Sequence, residues 1–235
     1  MQAGYNSNML WVLLIIVVVA LVFGPALWVR WVMRTHSEEI PGMPGTGGEL
    51  AQHLLQKLGI KAGVEVCDIG DHYDPTEKMV RLSAGNYSGK SLTAIAVAAH
   101  EVGHAMQDHR EDKRLALRTS LIPLADVIAR VSSGMIWAAP IVGLLTRHPV
   151  PFSFLVTLGL VGLVVRMLVH LVTLPTEFDA SFGKALPILR QGQYIAPGEE
   201  AIVQKILRAA AMTYVASAMA DVLNLARWAA LLLRR

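Results

Sequence analysis

The sequence predicts a mainly α-helical membrane protein, in which a small α+β domain with a short β-hairpin is carried on three or four transmembrane helices. Two observations support this fold class. Of the 235 residues, 54% are hydrophobic and the mean hydropathy is +0.46, which is more apolar than soluble proteins usually are. The apolar residues also form long stretches with few charges, whereas residues 35–118 are polar enough to fold in water.

The first predicted element is a transmembrane anchor at residues 1–34. Residues 9–29 carry no charge, and about 20 apolar residues can span the hydrocarbon core as a helix. Trp11, Trp28 and Trp31 lie near the ends of this stretch, where a membrane interface favours indole rings. A cleaved signal peptide is the alternative. The stretch is long for a signal and lacks a basic leader and an Ala-x-Ala site, which favours an uncleaved anchor.

A cytoplasmic domain is predicted next, at residues 35–118, and it begins with a helix. Thr46 and Glu49 have the spacing of a capping box, in which each residue binds the backbone N–H of the other. The helix is expected to continue through Leu58 and to end at Gly59, a residue type that is common just after helices.

The middle of this domain is predicted to contain a small sheet. Residues 64–67 and 79–82 are short strand candidates joined by a turn-rich segment, and we expect them to form a two-stranded sheet. Residues 83–90 are expected to form a loop. The strand near residues 80–83 would then offer an open edge to an extended peptide.

The following helix, at about residues 91–108, carries the string His100-Glu-Val-Gly-His104. Positions four apart share one face of a helix, so both imidazoles can bind one Zn²⁺ while Glu101 lies beside it as a general base. This arrangement is typical of zinc peptidases. The alternative is an amphipathic helix with two ordinary histidines. Gly103 argues against that alternative, because glycine inside a helix costs about 1 kcal/mol relative to alanine and therefore suggests a close neighbour.

A transmembrane helical hairpin is predicted at residues 119–174. Its two apolar stretches, 121–145 and 150–174, are separated by a short polar turn. The polar residues within them lie symmetrically about His148 and are Asp126, Arg130, Arg166 and His170. They are expected to form a polar layer that joins the two helices. The equal alternative is that the two arginines extend separately to the interface without pairing.

Glu177 is the candidate third metal ligand. Catalytic zinc normally has three protein ligands, and Glu177 is the only glutamate between the third apolar stretch and residue 198. The hairpin returns this segment to the side of the histidines, where Pro175 would start a new helix at residues 175–211. The alternative is that Glu177 only complements a helix dipole.

The last predicted element is a membrane-associated helix at residues 212–235. It is apolar but contains Asp221, Asn224 and Arg227, which are costly to bury in lipid without partners. Membrane association is therefore favoured over a full crossing.

Basic residues predict the orientation, because Lys and Arg near span ends are enriched on the cytoplasmic side. Those on the side of the histidines are Arg30, Arg34, Arg110, Lys113, Arg114, Arg118, Lys184 and Arg190. The other side has Arg147, and Arg234 and Arg235 only if the last helix crosses. The histidines are therefore predicted to face the cytoplasm. The single cysteine, Cys67, excludes an internal disulfide framework.

Four segments together resemble one family over nearly the whole chain. They are Asp71–Pro75, Val80–Ser83, Ala98–Gln107 and Leu174–Ser181. The chain resembles the YugP-like neutral zinc metallopeptidases of bacterial membranes, which are related to the membrane gluzincins. The resemblance implies a zincin-like fold, Glu177 as the third zinc ligand and Glu101 as the general base. Related gluzincins have an Asp four residues after the ligand Glu, where this chain has Ser181; Asp179 lies two residues after it.

The remaining polar candidates are His53, His72 and His109, which are more simply explained as surface or turn residues. His72 and Tyr73 are the best candidates to stabilise a developing oxyanion, although the segment Asp71–Pro75 also reads as an ordinary turn.

The sequence as a whole predicts a multi-pass zinc endopeptidase of the bacterial inner membrane with a cytoplasm-facing site. Its expected cofactor is Zn²⁺, and its expected partners are a polypeptide substrate and the lipid bilayer; either a homo-oligomer or membrane partner subunits are compatible with it. A net charge of +3 without a basic stripe gives no indication of nucleic-acid binding. The alternatives are a non-proteolytic zinc-binding membrane scaffold or chaperone, and an intramembrane protease, whose ligands would lie inside the apolar spans.

Overall fold

A computed structural model describes residues 2–213 and 215–216. The α-helices of these residues are α1 (Gln2–Thr35), α2 (Gly47–Lys57), α3 (Ala84–Ser88), α4 (Leu92–His109), α5 (Lys113–Thr146), α6 (Pro149–Phe178), α7 (Leu186–Gln191) and α8 (Glu200–Ala211). A π-helix (Asp179–Ala185) follows α6, and a 3₁₀-helix (Pro197–Glu199) precedes α8. The strands are β1 (Gly63–Val66), β2 (His72–Asp74) and β3 (Met79–Leu82).

The described residues form two compact units. The first contains residues 2–27 and 121–172, and the second contains residues 28–120 and 173–213. The second unit includes the whole sheet, α2 to α4, and the π-helix with α7 and α8.

The sheet has three strands rather than the predicted two. β3 is central: β1 pairs with it in parallel and β2 pairs with it antiparallel, with His72 opposite Arg81. The β-hairpin is therefore formed by β2 and β3, and not by the two strands predicted from their apolar residues. The expected open edge at residues 80–83 was also wrong, because β3 is hydrogen-bonded on both sides. The edge strands are β1 and β2.

Two helices flank the sheet in sequence. α2 begins with the predicted capping box, since Thr46 Oγ1 accepts from Glu49 N at 3.2 Å and Glu49 Oε2 accepts from Thr46 N at 2.8 Å. Gly59 follows its end with a φ of 68°, in the left-handed region that favours glycine.

The loop predicted at residues 83–90 was wrong, because residues 84–88 form α3. A single short turn has little local signal, and contacts distant in sequence hold it.

α4 is the central helix of the second unit. It begins after Ser91, whose side chain accepts from Ala94 N at 3.1 Å, and this confirms the predicted start. Every residue from Leu92 to Gln107 is buried, because α2, α8, the π-helix and the sheet all pack against it. A helix buried on all sides can be apolar around its whole circumference. Its polar residues are therefore exceptions that need partners.

Two continuous helical segments are long and apolar enough to cross a bilayer, at Lys113–Thr146 and Pro149–Gln191. Their first-unit parts present large exposed apolar side chains, including Leu124, Val131, Trp137, Leu144, Phe154 and Leu168. The described residues thus contain two candidate spans rather than three or four. The predicted span at 9–29 forms part of α1, and the last predicted element, residues 212–235, lies almost wholly outside the described residues.

Within the first unit, α5 and α6 pack closely through small residues. A Cβ added at Gly159 would lie 2.8 Å from the Ser132 carbonyl oxygen, and one added at Gly162 would overlap the Ser132 hydroxyl. Part of the predicted polar layer is present, since Asp126 Oδ1 lies 3.7 Å from Arg166 Nη2. Small residues are common where membrane helices approach each other.

The new helix predicted at Pro175 does not begin there. α6 continues through Pro175 to Phe178 and passes directly into the π-helix. A proline inside a helix removes one backbone hydrogen bond but does not always end the helix, and Pro123 and Pro140 lie inside α5 in the same way. Glu177 is consequently in the last turn of α6.

Candidate metal centre

Three buried side chains converge in the second unit. His100 and His104 project from α4, and Glu177 projects from α6. Glu177 Oε2 lies 3.4 Å from His100 Nε2 and 3.3 Å from His104 Nε2. The three potential ligand atoms all lie within 4.8 Å of one another. The structure therefore brings together the three residues that the sequence predicts as ligands, from positions far apart in the chain.

His100 is oriented by Ser181 of the π-helix. Its Nδ1 lies 2.9 Å from Ser181 Oγ, and the same hydroxyl donates to the carbonyl oxygen of Leu207 in α8 at 3.0 Å. A hydroxyl has one proton to donate, so Ser181 must accept from His100 Nδ1–H. The lone pair of His100 is thereby on Nε2 and points to the centre.

His104 is oriented in the same way by Gln107. Its Nδ1 lies 2.9 Å from Gln107 Oε1, and the Gln107 amide nitrogen donates to the carbonyl oxygen of Thr176 at 2.9 Å and to Asp179 Oδ2 at 2.8 Å. Because the amide oxygen can only accept, His104 Nδ1 carries the proton. Asp179 thus acts on His104 through Gln107, whereas Ser181 acts directly on His100. The sequence alone did not decide between these two residues.

This set of donors fits a zinc ion. Two imidazole Nε2 atoms with free lone pairs and one carboxylate oxygen are the ligand types of catalytic zinc sites. Partners on the opposite ring nitrogen are also typical of metal-binding histidines. His100, His104 and Glu177 could therefore hold the metal.

Glu101 adjoins this centre on α4, and its side chain is buried. Burial raises the pKa of its carboxyl to about 7, and the negative charge of Glu177 adds to this shift. A carboxyl with a pKa near neutrality can both accept and donate a proton at physiological pH. This is the property that a general acid–base group requires.

Arg118 is a site residue that the sequence did not indicate, except as one of several basic residues near a span. Its Nε lies 2.8 Å from Glu177 Oε1, and only 13% of its side chain is exposed. Glu177 is thus contacted by Arg118 at one oxygen and faces the imidazoles with the other. Nothing in the spacing of Arg118 could have identified this contact, because it depends on how α5 and the end of α6 come together in the second unit.

Gly103 provides the close approach that its presence in a helix suggested. A Cβ at this position would lie 2.6 Å from the carbonyl oxygen of Ala180 in the π-helix. The backbone of the π-helix can therefore reach α4 only where a side chain is missing. Since π-helical turns are frequent at functional sites, this packing explains how Ser181 comes within hydrogen-bonding distance of His100.

The other candidate histidines lie outside the cluster. His53 Nε2 is 2.8 Å from the Tyr194 hydroxyl, His72 Nδ1 is 2.9 Å from the carbonyl oxygen of Gly70, and His109 is exposed at the end of α4. The hydroxyl of Tyr73 donates to Asp108 Oδ2 at 2.6 Å, and its burial and this contact raise the Tyr73 pKa. Tyr73 therefore ties β2 to the end of α4.

Comparison with known proteins gives a consistent result. A family model described as "Putative neutral zinc metallopeptidase" matches residues 11–233. A relative from Bacillus subtilis (strain 168), named "Putative membrane protease YugP", is 34% identical over 212 residues, which cover 87% of this chain and 90% of the relative. No solved structure matches the chain.

Proposed function

The chain belongs to the neutral zinc metallopeptidase family, and on this basis we propose that it is a membrane-anchored, zinc-dependent endopeptidase. The observation that carries the proposal is the convergence of His100, His104 and Glu177 beside the buried carboxyl of Glu101. Each histidine is oriented by a hydrogen-bond partner on its opposite ring nitrogen, as a metal ligand would be.

The residues have separate roles in peptide hydrolysis. His100, His104 and Glu177 would bind the zinc ion. When bound, zinc supplies Lewis-acid polarisation of a carbonyl and lowers the pKa of a water molecule. Glu101 would accept the proton of the attacking water and later donate it to the leaving amine, which is the role of a buried carboxyl beside the ligands.

The second candidate function is a non-proteolytic scaffold or chaperone that keeps zinc for structure. A structural zinc site is usually closed by four protein ligands, whereas the cluster found among the described residues has three. A structural site also has no use for a buried carboxyl at the position of Glu101. These two points favour the enzyme.

We propose that the substrate is an extended polypeptide that pairs with β2. This strand is an edge of the sheet, and Tyr73 connects it to α4 through Asp108. The charge of Asp71, directly before β2, also influences Glu101. Unpaired backbone groups of an edge strand can bind an extended peptide.

The proposed location is a bacterial inner membrane, with several passes and with the site on the cytoplasmic side. The two apolar helical segments and the name of the bacterial relative, a membrane protease, support membrane attachment. The basic residues near the span ends support the orientation. Membrane-proximal or unfolded polypeptides are the substrates that such a location favours.

Glu101→Gln tests the proposed function. The substitution removes the proton acceptor and leaves the three ligands in place, so the protein should keep one zinc per chain and lose peptide cleavage by a factor of about 10² to 10⁴. Cleavage of a casein-derived peptide and zinc content are measured on the same detergent-solubilised protein. Glu38→Gln is the matched control, because Glu38 is exposed and its loss removes the same charge.

The measurement on Glu177→Ala separates the metal from the reaction, since this variant should lose zinc as well as activity. Wild-type cleavage rates in Glu101→Gln would contradict the protease mechanism. If that variant also fully restored a deletion strain, the scaffold would be the better conclusion.

A further inference from the structure

We propose that Arg118 is a positioning residue that makes Glu177 bind the metal through one carboxylate oxygen. The proposal rests on the zinc site proposed above and adds a residue that neither the motif nor its spacing indicates. It concerns how many donor atoms the protein contributes, which affects both metal affinity and reactivity.

The two oxygens of Glu177 have different surroundings. Oε2 faces both imidazoles, at 3.4 Å from His100 Nε2 and 3.3 Å from His104 Nε2. Oε1 is instead 2.8 Å from Arg118 Nε. The carboxylate is therefore already divided into a metal-facing oxygen and an arginine-facing oxygen.

Burial strengthens the attraction between Arg118 and Glu177 Oε1. The side chain of Glu177 is 2% exposed and that of Arg118 is 13% exposed, so solvent screens their attraction much less than it screens a surface pair. Removing only the arginine would leave a buried carboxylate oxygen without its cation, which is costly.

Charge repulsion then disfavours binding through both oxygens. For Oε1 also to bind the ion, the divalent cation would have to approach the guanidinium group that already contacts this oxygen. Two cations close together in a buried site repel each other strongly. Arg118 thus keeps the protein contribution at three donor atoms, the number that catalytic zinc sites use.

The test replaces zinc by Co²⁺, whose visible absorption reports the number of donor atoms and is strongest for four-coordinate sites. The full-length protein in detergent is saturated with Co²⁺, and its spectrum is compared with that of Arg118→Gln. The variant frees Oε1, so we expect weaker, shifted absorption bands at saturation.

Arg114→Gln is the matched control. Arg114 lies one helical turn earlier on α5, pairs with Asp112 at 3.3 Å and is 58% exposed. The substitution Arg114→Gln removes the same charge from the same helix at a residue that does not contact Glu177. The cobalt spectrum of this variant should therefore equal that of the wild type. A purely long-range effect of charge would instead move both spectra.

The outcomes are distinct. A cobalt spectrum of Arg118→Gln identical to the wild type at saturation would overturn the inference while leaving the metal site intact. If Arg118→Gln shows no cooperative thermal unfolding, Arg118→Met carries the test. Its unbranched, adaptable side chain fills similar space without the charge, so its bands should be weaker than in the wild type, and identical bands would again overturn the inference. Absence of stoichiometric metal binding by the wild type would instead refute the proposed function.

Discussion

At the scale of single residues, the centre depends on side chains that fix the ligands. Ser181 and Gln107 each accept a hydrogen bond from the Nδ1–H of one histidine, so the Nε2 lone pairs are directed before any metal arrives. Such preorganisation reduces what metal binding must cost in ordering the ligands. The motif predicts the two histidine ligands, and the returning hairpin predicts Glu177, but the motif does not identify these hydrogen-bond partners.

Ser181→Ala should lower zinc affinity by about 10- to 100-fold, because His100 Nδ1–H would lose its acceptor and the ring could turn. Affinity is measured by competition with a fluorescent zinc chelator. The control is Ser88→Ala, since Ser88 is exposed and bonds only to Ala84 of its own helix. Equal affinities in the two variants would mean that Ser181 does not orient His100.

At the scale of secondary-structure elements, the contact between α4 and the π-helix determines the site. Gly103 is required there because a Cβ would meet the Ala180 carbonyl oxygen at 2.6 Å. This steric requirement opposes the ordinary preference of helices for alanine over glycine.

Gly103→Ala should destabilise the protein by about 1 to 3 kcal/mol, as overpacking usually does, even though alanine is the better helix former by about 1 kcal/mol. Gly85→Ala is the control, because a Cβ there would have no neighbour within 4 Å, and it should be neutral or slightly stabilising. The free energy of unfolding in denaturant is compared for both variants. Greater stability of Gly103→Ala would show that the two backbones are not in close contact.

Whether a feature of the fold or the site could be predicted from the sequence depends on whether it is determined by neighbouring residues or by contacts between distant segments. The capping box of Thr46 and Glu49 and the helix of His100 and His104 were predictable, because their signals are local. β2 was missed because it is three residues long and lies among turn-forming residues. The contact of Arg118 with Glu177 and the π-helix were not predictable from one sequence, since both arise from packing between segments far apart in the chain.

At the scale of the whole molecule, the proposed orientation rests on the distribution of Lys and Arg around the apolar segments. The turn between α5 and α6 contains Arg147 and His148, whereas most other basic residues near span ends lie on the side assigned to the metal centre. The orientation can be tested without knowing the substrate.

His148→Cys in a Cys67→Ser background should be labelled by a membrane-impermeant thiol reagent on intact cells. Cys67 in the wild type should react only after the cells are permeabilised, because it would face the cytoplasm. The permeabilised sample controls for the intrinsic reactivity of each thiol, since Cys67 is partly buried. Labelling of Cys67 but not of residue 148 on intact cells would reverse the proposed orientation.

The hydrogen-bond chains behind the two histidines have a further consequence for how related sequences can diverge. The chain from His100 ends at the carbonyl oxygen of Leu207, and one branch from His104 ends at that of Thr176. Every amino acid supplies a backbone carbonyl, so the residue types at 176 and 207 are free to drift without loss of these acceptors, provided the helices keep their places. Positions 107 and 181 instead need a side chain that can accept from a histidine Nδ1–H, so residues without such an acceptor at these two positions should mark relatives that have lost the metal.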